Sequence, residues 1–234
     1  MTDVFYFIGK PDGIGNRIEQ LIKLQEYCHI NNKKCIFIWS NTHRRCYKPI
    51  ITFDNIEIQT EMDDSTIKIL SIQLERTPDF IPRYSFNFAA PAPTSYDIII
   101  HIRAGDRLSN IPCPYHYTTQ NELDTYIDKT ANYINNQSNI TTYAIVSDGG
   151  LPYKDKLRRK ITKQFVPLPY TPDINKDWLD FYYLTNPNKY VLMCCNFSSY
   201  SICASILGNK TLLVFKESLN TTLPRFKASI QIIQ

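Results

Sequence analysis

The sequence predicts an α/β protein organised as two sheet-bearing units, and three observations carry that expectation. An apolar run, a glycine loop and a helical stripe follow one another at the N-terminus; apolar runs alternate with helical patterns through the C-terminal half; a proline-rich stretch separates the two. With 234 residues and 43% hydrophobic content, the chain has enough apolar material for one large or two small layered domains.

The first unit opens with Val4 to Ile8, passes through "GKPDGIGN" and enters a helix whose Ile18, Leu21, Ile22, Gln25 and Cys28 fall on neighbouring faces. The run "CIFIW", Cys35 to Trp39, follows "NNKK" at the spacing of a crossover returning to a parallel strand. From Arg44 to Leu74 the pattern weakens, with short strands expected near Ile56 and over Ile67 to Ile72. Residues Pro78 to Pro93, "PDFIPRYSFNFAAPAP", concentrate proline and small residues as a linker does, and divide the chain into 1–93 and 94–234.

The second unit alternates clearly. Strands are expected at Ile98 to Ile102, Tyr143 to Val146, Tyr190 to Cys194 and Thr211 to Phe215, with a short run at Phe165 to Leu168. Helices are expected from about Glu122 to Ile134, Asp155 to Lys163, Trp178 to Leu184 and Tyr200 to Leu207. That order predicts an open sheet whose ligands collect at the C-terminal strand ends.

Composition excludes several classes. The formal charge of +4 is spread along the chain, with one short basic cluster at Lys154 to Lys163, so an extended nucleic-acid surface is not expected. Seven cysteines form neither a CxxC pair nor a repeated spacing; this fits a reducing compartment, the cytoplasm or another, better than a disulfide framework or a thiolate zinc site. The N-terminus has the wrong flanks for a signal peptide, and no apolar run reaches membrane-span length. "MDD" at Met62 to Asp64 is a poor metal-site candidate, and none is expected. Sequons at Asn136, Asn139, Asn196, Asn209 and Asn220 are what a chain rich in Asn, Ser and Thr shows by chance.

Three strand ends and one loop carry candidate chemistry. After Ile98 to Ile102 come Arg103, Gly105, Asp106 and Arg107. His101 and Arg103 share a face, and a guanidinium at the open edge of a sheet offers a rigid fork of donors suited to a diphosphate. "VSDGG" puts Ser147 and Asp148 where they can accept from a nucleobase or ribose, beside two glycines that permit close approach. The run ending at Cys194 and Cys195 leads through Asn196 and Phe197 to Ser198, Ser199 and Tyr200 at a helix start, where hydroxyls and backbone amides converge. In "GKPDGIGNR", Gly13 and Gly15 let backbone approach a ligand while Asn16 and Arg17 open the helix; the loop has neither a GxGxxG nor a Walker spacing. Each feature alone also reads blandly, as a buried histidine, a strand exit, a serine cap or a tight turn.

Together, "GIGNR", "HIRAGDR", "SD" and "CCNFSSYSICASILG" resemble the peptide motifs of the α1,2/α1,6/protein-O-fucosyltransferase superfamily, closest to the α1,6 and nodulation-type members. The resemblance implies a GT-B-like arrangement of two facing Rossmann-like domains, here with a reduced N-terminal, acceptor-side domain and a C-terminal nucleotide-sugar domain. It implies metal-independent, inverting transfer of fucose from GDP-fucose to a hydroxyl of a glycan or glycoprotein. Arg103 would bind the donor β-phosphate, with His101, Asp106 and Arg107 shaping that pocket. Asp148 would contact guanine or ribose, Ser198, Ser199 and Tyr200 would lie near the phosphates, and Gly13, Gly15 and Asn16 would face the donor. Asp12 is the preferred base for the acceptor hydroxyl and Asp106 the second choice. The chain departs from the α1,6 pattern at Ile111, where a fixed acid would fall, with Glu122 assignable to the helix start alone; Ala104 replaces the paired arginine of many members. The alternatives are a same-fold transferase for another nucleotide sugar and a non-catalytic GDP- or glycan-binding relative.

Overall fold

The alternation of apolar and aromatic side chains at Val4–Ile8 forms strand β1, and Lys34–Ile38 forms β2 parallel to it, paired from Val4 with Lys34 to Ile8 with Ile38. The computed structural model describes residues 4–10, 12–39, 48–61, 80–89, 91, 95–104, 118–149, 151–186, 189–218 and 230–233. The chain forms two compact units, Met1–Ala89 and Ala90–Gln234, each with its own sheet; the sequence-based division falls a few residues later.

In the first unit helix α1, Ile14–Ile30, joins β1 to β2 and buries Ile18, Leu21, Ile22, Leu24 and Cys28 against the sheet. Gln25 lies on the same buried face because its amide is used there: it donates to the Asp54 carbonyl at 3.2 Å and the Arg83 carbonyl at 2.6 Å, and accepts from the Arg83 amide at 2.9 Å. Strand β4, Ile56–Gln59, pairs parallel with β2, while β3, Ile51–Phe53, and β5, Tyr84–Phe86, extend the sheet antiparallel in the order β1-β2-β4-β3-β5. The expected strand near Ile56 is thus present, and Ile67 to Ile72 lies outside the described residues. The stretch read as a linker contains β5: its prolines flank an aromatic strand that pairs with β3 from Tyr84–Phe53 to Phe86–Ile51. In a chain with only seven glycines, Asn32, Asn55 and Asn209 supply the left-handed backbone at two helix exits and the β3–β4 turn, a conformation asparagine tolerates.

The second unit is built around β6, Ile98–Ile102, whose residues are all buried. On one side β7, Thr142–Ser147, pairs from Tyr143 with Ile98 to Ser147 with Ile102; on the other β9, Tyr190–Cys194, pairs from Tyr190 with Ile98 to Cys194 with Ile102. Strands β8, Gln164–Phe165, β10, Thr211–Phe215, and β11, Ile230–Ile233, complete an all-parallel sheet ordered β11-β10-β9-β6-β7-β8. Counted within the unit from β8, the order is 3-2-1-4-5-6. It reverses between β6 and β9, and in sheets of this order a crevice opens at that point beyond the carboxyl ends of the strands.

Helices cover both faces. Ile98, Ile100 and Ile102 pack with Leu123, Ile127, Ala131 and Ile134 of α2, Gln120–Asn136, and Leu157 of α3, Leu151–Arg158. Strand alternation turns Ile99 and His101 the other way, toward α4, Lys176–Thr185, and α5, Ser199–Leu207. Glu122 belongs to a capping box with Thr119, its carboxylate accepting from the Thr119 amide at 2.7 Å. The helix expected at Asp155 to Lys163 instead runs from Leu151 to Arg158. Pro152 is tolerated in a first turn, and Asn135 ends the helix by donating to the Lys160 carbonyl at 2.9 Å and accepting from the Thr162 amide at 2.9 Å. Among the described residues no helix is long and apolar enough to cross a membrane.

Candidate functional site

The parallel register of β6, β7 and β9 brings three strand ends to one edge of the second unit, since Ser147 and Cys194 both align with Ile102. Arg103 is the first residue past β6 and Asp148 the first past β7. Their side chains, each 18% exposed, approach to 4.0 Å between the Arg103 Nε and an Asp148 oxygen. The other Asp148 oxygen accepts from the Ala104 amide at 2.8 Å, so one carboxylate holds the backbone after Arg103 and faces its guanidinium. Gly149 is required by packing: a Cβ there would stand 2.4 Å from the Cβ of Ala104 and 2.9 Å from the Tyr153 ring. The two loops can close together only around a glycine.

His101 lies beneath Arg103. Its Nδ1 is 2.5 Å from the Ser201 hydroxyl, and its ring packs 5.2 Å from that of Tyr200, both on α5. Burial pushes the His101 pKa down from 6.5 to about 4; the Asp148 charge opposes this, and Arg103 and Lys176 add to it. The imidazole is therefore neutral at neutral pH. The unfolded chain takes up this proton near 6.5 and the folded chain near 4, so stability is undiminished above the higher value and falls as pH drops between the two, by as much as about 3 kcal/mol. A His101→Asn variant is expected to lack that part of the pH dependence, measured as urea midpoints at pH values on either side of the interval. Parallel curves for the two proteins would show that His101 does not titrate in this way.

The helix-start residues sit on the far side of the reversal point. Ser198 caps α5, its hydroxyl accepting from the Ser201 amide at 3.4 Å, and Ser198 and Ser199 are buried. The Tyr200 hydroxyl donates to the Asp177 carbonyl on α4. Asn196, just past β9, accepts from the Tyr126 hydroxyl. Arg103, His101, Asp148 and Ser198 to Tyr200 thus share one sheet edge. Gly105, Asp106, Arg107 and Ile111 lie outside the described residues.

The loop of the first unit is a separate arrangement. Asp12 accepts from the Gly13 amide at 2.7 Å and from the Asn16 side chain, while its carbonyl accepts from the Arg17 Nε at 2.7 Å. Arg17 is buried with its guanidinium 4.6 Å from the Trp39 ring centre. Gly13 has ordinary extended backbone and open space where a Cβ would go, whereas Gly9 is held by packing, a Cβ there falling 2.2 Å from the Phe37 ring. Gly15 is a buried residue in the first turn of α1.

The chain matches no protein-family profile and no curated protein sequence.

Sequence reasoning missed a cationic corner beside Asp148. Lys176, at the start of α4, donates to the Ser147 carbonyl at 3.1 Å and to the buried carboxylate of Asp180, which also accepts from the Tyr170 hydroxyl at 2.5 Å. Burial raises the Asp180 pKa, with Lys176 and the two hydrogen bonds opposing. Lys154 of α3 lies 5.7 Å from the Tyr170 ring centre, its own pKa lowered by burial. The one signal in the sequence was an i,i+4 Lys–Asp pair whose aspartate falls between Leu179 and Phe181 on a helix that is otherwise apolar there. Among the described residues, the cations Arg103, Lys154 and Lys176 stand near this edge beside Asp148 and Asp180. Among the described residues no group of three His, Cys, Asp or Glu side chains could hold a metal ion, and Cys28, Cys35, Cys194, Cys195 and Cys203 are buried free thiols.

Proposed function

We propose that this chain is an inverting glycosyltransferase of GT-B type that moves fucose from GDP-fucose to a hydroxyl of a glycan or glycoprotein, with the second unit as its donor domain. The observation that supports this most is Arg103, tied by Asp148 at the end of β6, next to the point where strand order reverses and opposite the start of α5. In the reaction the acceptor oxygen bonds to the anomeric carbon as the carbon–oxygen bond to the diphosphate breaks. The acceptor proton passes to a base, and GDP departs with negative charge growing on its β-phosphate. A guanidinium fork and the positive end of a helix stabilise charge where it develops. Asp12 is the proposed base, with Asp106 the second candidate. The resemblance implies a metal-independent reaction, and charge stabilisation by Arg103 is compatible with that.

The test is a donor panel in the presence of a chelator, with released nucleoside diphosphate as the readout and glycans and glycopeptides as acceptors. GDP-fucose is expected to be turned over, by transfer where an acceptor fits and by slow hydrolysis where none does. Turnover of a different nucleotide sugar in its place would favour the same-fold alternative. Tight GDP binding with neither transfer nor hydrolysis would favour a binding protein, the reading to which Ile111 points.

A further inference from the structure

We propose that Lys176, backed by Lys154, selects the nucleobase of the donor, favouring a ring that presents hydrogen-bond acceptors, as guanine does with O6 and N7, over adenine, which presents an amino donor. This rests on the reading of the second unit as a nucleoside-diphosphate site and assigns it a specificity determinant.

Position comes first. In a sheet of this strand order the phosphates lie at the reversal point and the ribose at the end of the second strand, which here is β7 with Asp148. The base then extends past β7, and the side chains gathered there are Lys176, Tyr170 and Lys154.

Donor arithmetic comes second. An ammonium has three donors and no acceptor, and Lys176 uses two of them, on the Ser147 carbonyl and on Asp180. Its side chain remains 48% exposed, so the third can reach a ligand. Asp180 offers a ligand nothing, because one oxygen accepts from Lys176, the other accepts from Tyr170, and the residue is 4% exposed. Tyr170 donates its hydroxyl to Asp180 yet is 40% exposed, leaving ring surface for contact with a base, with the ammonium groups of Lys176 and Lys154 5.6 and 5.7 Å from its centre. The corner therefore sets an aromatic surface beside the ammonium donors of Lys176 and Lys154. Guanine offers lysine two acceptors, O6 and N7, whereas adenine keeps N7 but replaces O6 with an amino group that would point a donor at a donor.

Calorimetric titration of the full chain with GDP and ADP tests the assignment. The unaltered protein is expected to prefer GDP by about tenfold or more. Lys176→Met should weaken GDP binding by about tenfold and leave ADP binding unchanged, so that the preference collapses. Because Lys176 partners a buried carboxylate, the double variant Lys176→Met, Asp180→Asn and the single variant Lys154→Met are measured alongside, with urea midpoints to confirm folding. Equal losses for GDP and ADP would overturn the proposal by showing a phosphate contact, and so would unchanged GDP binding in all three variants. If the unaltered chain binds neither nucleotide, the donor-site reading fails with it, a result seen before any variant is made.

Discussion

Arg103→Ala is expected to lower turnover of GDP-fucose by a factor on the order of 10³ while leaving the fold in place, the size of loss seen when a donor to developing oxyanion charge is removed. Arg103 lies outside β6 and none of the interstrand pairs of β6 involves it, so the sheet itself does not use the guanidinium. Arg103→Lys separates charge from geometry. A lysine restores a cation but not the planar fork, and should recover only a small part of the lost rate. The measurement is kcat and KM from released GDP, with a urea midpoint for each variant. If the interaction strengthens as the bond to the diphosphate breaks, the loss falls on kcat more than on KM. Turnover of Arg103→Ala within twofold of the unaltered protein would sink the role assigned to Arg103.

The strands of the second unit were legible because a parallel strand buried on both faces must be apolar at nearly every position, and β6, β7, β9 and β10 are. The same rule makes His101 conspicuous, as a polar residue in a run that tolerates few. Its partner was not legible: Ser201 is a hundred residues away in sequence, and only the packing of α5 on β9 and β10 brings its hydroxyl to the imidazole. Short strands failed for a related reason. β5 has three residues and β11 four, too few for alternation to declare itself, and β5 sits among prolines that argue against a strand until β3 is known to pair with it. The start of α3 was misplaced because "DGGLP" reads as a turn, although proline in a first turn is compatible with a helix. Lys176 was missed because its place at the site depends on the Ser147 carbonyl, a backbone atom that no side-chain pattern encodes.

Asp148 is expected to act through Arg103, and variants at the two positions should therefore be non-additive. Its two oxygens do different work: one accepts from the Ala104 amide at 2.8 Å, the other faces Arg103 Nε at 4.0 Å. Asp148→Asn keeps a carbonyl oxygen for the amide and removes the charge. Asp148→Ala removes both and strips the amide of Ala104, a residue only 2% exposed, of this acceptor. An unsatisfied buried amide costs about 1–3 kcal/mol, so the alanine variant should unfold at lower urea while the asparagine variant does not. For activity, loss of the charge that orients the guanidinium is expected to cost about tenfold in kcat/KM in either variant, the equivalent of about 1.4 kcal/mol. In the Arg103→Ala background there is no guanidinium to orient, and Asp148→Asn should cost nothing further. A full tenfold loss in that background would instead mean that Asp148 touches the nucleotide itself, the ribose or base contact implied by the family resemblance. The double-mutant cycle thus separates a residue that acts through Arg103 from one that reads the ligand, and it does so on proteins whose folding the urea midpoints have already compared.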